Sequence, residues 1–294
     1  KYVSTAEVVI NCLPGRIGHE IRKPLLSIKG MRVADLAFTE EDPQNLNELA
    51  IAMESKLIYD IGIAPGLSNA LLMSAQQKLN HLESAKIWVG GNPQEPDDEW
   101  SYMAPFSPSD VIEEYTRPAR FIRNGKIITK PALSERHIID VPTYGKMEAF
   151  LTDGVRSLLN TINCSELVEY TVRWPGHIEK YLENKFTEKE LIEAWKFNDK
   201  IPEFTWLDVL ACDKKTCFRW EVLDSGKNGW SSMARTTGLV TVEVSEILAE
   251  GKISSFGVIP PEELGKNKNI LQRIIKSMQR EGIQIIYSKI EKKS

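Results

Sequence analysis

The sequence predicts an α/β chain of two domains, a layer built on a parallel sheet followed by a mixed α+β domain. Three observations predict it. Strand-like and helix-like segments alternate at the front, which is the pattern of parallel sheets with crossover helices. After about Asn80 the texture turns β-rich, with helices interspersed. The chain is also 294 residues long, enough for two cores or one large one with insertions.

The front reads as follows. Val8-Val-Ile10 is a short apolar run ending at Asn11, as a buried parallel strand does. Pro14 and Gly15 break it. Ile17, Ile21 and Leu25 have helical spacing up to Leu26, with Pro24 expected to bend or end that helix. Residues 31–35 form the next strand, and 45–54 a helix with Leu46, Leu49, Ala50 and Met53 on one face. Residues 56–60 are a third strand, and Ser68 or Asn69 caps a helix running through Leu79.

In the second domain, residues 86–90 are strand-like and 90–96 read as a loop. Further strands are expected at 119–122, 126–129, 137–141, 168–174 and 216–223, with helices at 154–161, 187–195 and 234–249. Asn124-Gly125 between two strand segments is a hairpin signal. After Pro260-Pro261, a stripe of Ile270, Leu271, Ile274, Ile275 and Met278 marks a helix over 269–280 that must return to the first layer. No internal repeat or low-complexity tract is present.

Charge is near balance, with 37 basic against 41 acidic residues, which argues against binding to nucleic acid or an anionic membrane. No apolar run is long enough to span a bilayer, and no signal peptide is evident. Cys12, Cys164, Cys212 and Cys217 form no C-x-x-C pair, and their spacing is poor for a metal. Reduced, unpaired thiols in a cytoplasmic protein are expected.

Ligands of open α/β sheets bind beyond the carboxyl ends of the strands. Three polar strand ends qualify: Asn11-Cys12-Leu13-Pro14, Asp35 with the residues after it, and the 60–66 turn containing Asp60, Gly62, Pro65 and Gly66. Each alone is an ordinary strand-to-helix turn, whereas three in register point to a site. Gly15-Arg-Ile-Gly18 is not a phosphate fingerprint, and Gly90-Gly91 has no helix after it.

In the second domain, Glu113 to Arg120 packs two acids, Tyr115, Thr116, Arg117 and Arg120 around one proline. Thr152 caps a turn holding Arg156, and a strand ends at Arg173, followed by His177. Arg117, Arg156 and Arg173 are suited to bidentate capture of a carboxylate. His177 is the acid/base candidate by its intrinsic pKa. The plainer alternatives are surface ion pairs for the arginines and a capping role for His177. The seven tryptophans are expected in the core.

Read together, these motifs resemble the saccharopine dehydrogenase-like family, and within it the lysine 6-dehydrogenase branch. The resemblance runs in order through residues 8–14, 60–69 and 90–93. It continues through 106–120, 124–126, 148–156, 173–177 and 233–238. Two departures stand out: Asn92 occupies a position where the family usually has Leu, and the family's first strand and glycine-rich phosphate loop have no counterpart.

The resemblance implies a truncated Rossmann domain over 1–80, joined by a returning helix within 259–294. It also implies a mixed α+β substrate-binding and dimerisation domain over 81–258. By comparison with a complete Rossmann half, roughly 70 residues would be missing from the front. The implied activity is NAD-dependent, with NADP left open. It removes hydride from the ε-carbon of L-lysine, giving allysine, its cyclised piperideine carboxylate and ammonia, and a homodimer through the second domain is implied with it.

Within that scheme His177 is the acid/base, and Asp35 and Asp60 orient the amine or nicotinamide. Arg156 or Arg173 anchors the carboxylate beside Tyr115, Thr116, Arg117 and Thr152. Asn11, Cys12, Leu13, Pro14, Asp35, Gly62 and Pro65 face the cofactor. The alternatives are a saccharopine or carboxynorspermidine-type dehydrogenase, or a catalytically silent, dimerising subunit.

Overall fold

The computed structural model describes residues 3–79, 81–183 and 185–292, so Asn80 lies outside the described residues. In chain order the front carries β1 (Val9–Asn11), α1 (Gly15–Leu26), β2 (Arg32–Asp35), α2 (Asn47–Ala52), β3 (Lys56–Ile58) and α3 (Ser68–Leu79). Next come β4 (Leu82–Pro93), α4 (Pro108–Thr116), β5 (Ala119–Arg123), β6 (Lys126–Lys130), β7 (His137–Val141), β8 (Gly145–Leu151), α5 (Leu158–Thr161) and β9 (Cys164–Arg173). The remainder is α6 (His177–Glu183), α7 (Glu188–Ala194), β10 (Glu203–Cys212), β11 (Thr216–Asp224), α8 (Ser232–Ala249), β12 (Gly257–Ile259), α9 (Glu262–Lys266), α10 (Lys268–Arg280) and β13 (Gln284–Glu291). Among the described residues no helix is long and apolar enough to cross a membrane.

The chain divides into two compact units, Lys1–Met73 with Thr237–Glu281, and Ser74–Thr236 with Gly282–Ser294. The segment that returns to the first unit therefore stops at Glu281, because β13 pairs antiparallel with β11 in the second sheet.

The first unit is a four-stranded sheet of order β1-β2-β3-β12 with all neighbours parallel. Its strands are short and apolar because both faces are covered. Leu25, Leu26, Met31, Val33, Ala50, Leu57, Tyr59 and Val258 form the core. The stripe on α10 is buried at all five expected positions. Pro24 does not end α1, which continues to Leu26; it falls in the last turn and removes only its own bond to the carbonyl four residues upstream.

A buried ion pair locks this unit. Arg22 Nε donates to Asp35 Oδ2 at 2.6 Å with both side chains fully buried, and its other nitrogens donate to Thr39 Oγ1 and the Ala37 carbonyl. Asp35 also accepts from the Ala37 N–H and from Asn11 Nδ2. Burial raises the Asp35 carboxyl above its ordinary range, and the Arg22 charge pulls it back in part. Replacing Arg22 with Met strands that carboxylate and is expected to cost about 3–5 kcal/mol by urea denaturation. The double variant Arg22→Met/Asp35→Leu should lose much less. A single-variant loss near zero would contradict the role.

The second unit is a nine-stranded mixed sheet whose main path is β13-β11-β10-β4-β9-β5-β6, with β8 joining β9 and β7 joining β8. Among the described residues only the β4–β9 pairing of this sheet is parallel. The hairpin at Asn124-Gly125 is present, with left-handed φ of 53° and 70°.

Three expectations are corrected here. Residues 90–93 are strand rather than loop, because Gly90 lets β4 approach the Val172 carbonyl where a Cβ would collide. The helix expected over 154–161 shrinks to α5, since Arg156 takes a left-handed φ of 52° that breaks helical continuity. Cys212 and Cys217 are disulfide-bonded rather than free. They face each other directly across the β10–β11 hairpin, at a Cα separation of 4.1 Å, a neighbourhood that spacing alone conceals. Cys12 and Cys164 are free.

Candidate active site

The chemistry of the second unit gathers on β9. Side chains two apart on a strand share a face, which puts Glu169, Thr171 and Arg173 in one row. All three are buried. The next-door helix α4 meets this row: Glu114 contacts Thr171, and Tyr115 contacts Arg173. A polar face that would be solvated on an open sheet is thereby enclosed.

Arg173 is 3% exposed. Its Nε donates to Tyr115 Oη at 3.0 Å and its Nη1 to the Val172 carbonyl at 2.9 Å. The guanidinium lies over the Tyr102 ring, 4.4 Å from the centroid. No ion pair joins it to a carboxylate among the described residues; Glu114 acts on it through charge. A buried cation without a counter-ion is costly, and an anionic ligand removes that cost. Asn92 stands beside it: its Nδ2 donates to the same Val172 carbonyl at 3.1 Å, and its Oδ1 is buried without a hydrogen-bond partner among the described residues.

His177 is neutral. Burial first, then the Arg173 charge, push its pKa down to about 3. Its Nδ1 lies 3.0 Å from the Trp100 carbonyl and its Nε2 3.0 Å from Tyr115 Oη. Those partners assign the proton to Nδ1, so Nε2 accepts from the Tyr115 hydroxyl. Burial keeps that phenol protonated, raising its pKa well above the ordinary value. Trp100, Tyr102, Tyr115 and Trp195 enclose the imidazole. The expectation that His177 is the acid/base is corrected: a ring that stays unprotonated down to about pH 3 does not take up a proton near neutrality. It positions Tyr115, which in turn positions Arg173.

The group poised near neutrality is Glu169, whose carboxyl burial pushes up to about 8, with the Glu114 charge adding to it. Its Oε2 lies 2.9 Å from Thr152 Oγ1 and 3.2 Å from the Gly154 nitrogen. A Cβ at Gly154 would collide with this carboxyl, so glycine is what permits the approach. Thr152 Oγ1 is 2.8 Å from Thr171 Oγ1, which is 2.5 Å from Glu114 Oε1.

The other expected substrate residues are dispersed. Arg117 pairs with Glu113 of its own helix at 3.6 Å. Thr116 is exposed and donates to the Ile112 carbonyl at 3.0 Å, a local tie at the end of α4. Arg156 is buried on the turn before α5. Arg120 grips Asp153 through Nε and Nη2 at 2.9 and 2.7 Å.

In the first unit, Asn11 and Asp35 are buried and bonded to each other, and Asn11 Oδ1 accepts from the Leu13 N–H at 3.3 Å. Both therefore shape the end of β1. Asp60 is buried with a left-handed φ of 51°, and Pro65 follows a cis peptide in the next turn. Cys12, Leu13 and Pro14 are exposed beyond β1, offering backbone and apolar surface to a flat heterocycle. Gly18 serves packing, because a Cβ there would collide with Ala37. Gly62 has room for only tight contacts with Pro65 and Thr237. The polar groups of Asn11 and Asp35 are thus committed within the unit, and what this edge would offer a nicotinamide is the exposed Cys12–Pro14 stretch.

Sequence reasoning missed Glu169, Thr171, Asn92 and Tyr102. The alternation Glu169-Tyr-Thr171-Val-Arg173 inside an apolar strand was the available signal.

The family described as saccharopine dehydrogenase C-terminal domain matches residues 62–211, half of the chain. The chain belongs to the saccharopine dehydrogenase-like family. Glu169, Arg173 and His177 all lie in the segment that defines this membership. A relative, the alpha-aminoadipic semialdehyde synthase of Arabidopsis thaliana, is 24% identical over 134 residues, covering 44% of this chain. The chain matches only 12% of that relative's length. Among solved structures, apo saccharopine dehydrogenase (L-Glu forming) from Saccharomyces cerevisiae superposes with a TM-score of 0.73 at 15% identity. That superposition covers 98% of this chain and 86% of the yeast protein, and it establishes the saccharopine dehydrogenase-like fold.

Proposed function

We propose that the protein is a nicotinamide-dependent oxidoreductase acting at an amine-bearing carbon of an amino acid, with L-lysine oxidised at its ε-carbon. The observation that carries this reading is Arg173, a buried guanidinium held by phenols and a carbonyl without a carboxylate counter-ion. The α-carboxylate of the substrate is its natural partner. Asn92 Oδ1, otherwise unpartnered, accepts from the α-ammonium. Glu169 lies four residues along the same face of β9, about 13 Å away along the strand.

Few parts are then needed. Arg173 and Asn92 fix the amino-acid head, Tyr115 and His177 hold Arg173 in place, and Glu169 takes the proton from the ε-ammonium so that the free amine can react. Asn11–Pro14 and the 62–65 turn of the first unit would hold a nicotinamide, which when bound would supply the hydride acceptor. The imine hydrolyses to allysine and ammonia, and allysine cyclises to the piperideine carboxylate. Saccharopine is the second reading, favoured by the relatives' names; its additional carboxylates would need further cations.

A panel of L-lysine, saccharopine and carboxynorspermidine, each with NAD+ and NADP+, tests this by nicotinamide absorbance. L-lysine is expected to show the highest kcat/KM. A preference for either larger substrate removes the lysine assignment, and no reduction with any of them removes the oxidoreductase reading.

A further inference from the structure

Glu169, Thr152, Thr171 and Glu114 form one continuous line of oxygen contacts, of 2.9, 2.8 and 2.5 Å. Each contact of this length needs a hydrogen between its oxygens. Three contacts therefore need three hydrogens. The two threonine hydroxyls supply one each, and the third must come from a carboxyl group. Were both glutamates ionised, each threonine would donate to its own carboxylate and the two hydroxyl oxygens would face each other at 2.8 Å with nothing between them. One proton on a carboxyl resolves this, and it does so in two ways. In one, Glu169 donates to Thr152, Thr152 to Thr171 and Thr171 to Glu114. In the other, every bond runs the opposite way and Glu114 carries the proton.

We propose that these four side chains hold one proton in common and relay it between the interior carboxyl of Glu169 and the half-buried Glu114. Passage from one arrangement to the other breaks three O–H bonds and forms three. It moves a net single proton from Glu169 Oε2 to Glu114 Oε1, with no heavy atom displaced. The charged groups facing Glu169 are Glu114 on α4 and Asp153 on the turn after β8, the latter held by Arg120 of β5. Arg173 lies further along the same strand face. Burial and the negative charge of Glu114 place the resting proton on Glu169. The end that meets solvent is Glu114, which is the less buried of the two carboxyls. The use of the relay rests on the function proposed above: Glu169 first passes its resting proton along the line to Glu114 and from there to solvent, and so is ionised when it takes the proton that the ε-ammonium gives up. The shared proton itself is a property of the four side chains alone.

Infrared spectroscopy of the substrate-free protein reads that proton directly, through the C=O stretch of a protonated carboxyl. The band is expected at pH 7, to shift in D2O, and to vanish in Glu169→Gln. Thr171→Val, which keeps the shape and removes one hydroxyl, is expected to move the band because the chain is cut. It should also lower turnover by about tenfold or more and abolish a curved proton inventory. Absence of the band at pH 7, its persistence in Glu169→Gln, or an unchanged band in Thr171→Val would overturn the proposal. Failure of the oxidoreductase reading would be visible separately, as a normal band without nicotinamide reduction.

Discussion

Replacing Arg173 with Met is expected to raise the KM for the amino-acid substrate by about 100-fold or more, while the protein stays folded. The loss corresponds to the 2–5 kcal/mol typical of a buried charged contact with a ligand. The stability expectation follows from the neighbours. No protein carboxylate pairs with Arg173 among the described residues, so removing the guanidinium strands no buried charge. Tyr115 keeps its hydrogen bond to His177 Nε2, and Met conserves most of the buried volume. A purely structural arginine would behave in the opposite sense, with stability falling and KM holding. L-lysinamide sharpens the test, since it lacks the carboxylate: it should be a poor substrate for the native protein and suffer little further loss in Arg173→Met. An unchanged KM for L-lysine would take Arg173 out of the site.

The second large effect is on stability against pH. The Glu169 carboxyl is raised in the folded state from its ordinary 4.5 to about 8. A raised pKa contributes stability that is fully present below the unfolded value and is lost as pH climbs through the folded one. Between about pH 4.5 and 8 this single group should therefore withdraw stability on the order of 5 kcal/mol. His177 acts in the other direction. Its pKa falls from the ordinary 6.5 to about 3, so its contribution is present above 6.5 and is lost as pH falls towards 3. Glu169→Gln removes the alkaline limb and leaves the acid limb in place. Urea midpoints at pH 5, 7 and 9 should show the variant gaining on the native protein at each step upward. Parallel curves for the two proteins would show that Glu169 ionises normally.

Much of the fold was legible because it is written locally. The β1 and β3 strands are short apolar runs followed by Pro14 and Gly62, the α10 stripe has helical spacing, and Asn124-Gly125 dictates its own turn. What was missed depends on distant partners. Gly257-Val-Ile259 carries no pattern of its own and becomes β12 only because β3 offers an edge. Residues 90–93 extend β4 because Val172 lies where a side chain would have been. The site divides in the same way. Arg173 stood out as a cation at a strand end, and it is the residue on which the substrate argument rests. His177 misled because its intrinsic pKa says nothing of the burial and the guanidinium that hold it neutral. Glu169 escaped notice because an alternating strand reads as half-solvated, and only α4, lying over that face, makes its carboxyl a buried one.

The most direct measurement uses L-lysine carrying 15N at the ε position, oxidised by the protein with its nicotinamide cofactor. The account predicts that the label leaves as ammonia, while the α-nitrogen stays in the cyclic product. Retention of the ε label in the organic product, or release of the α-nitrogen in its place, would contradict it.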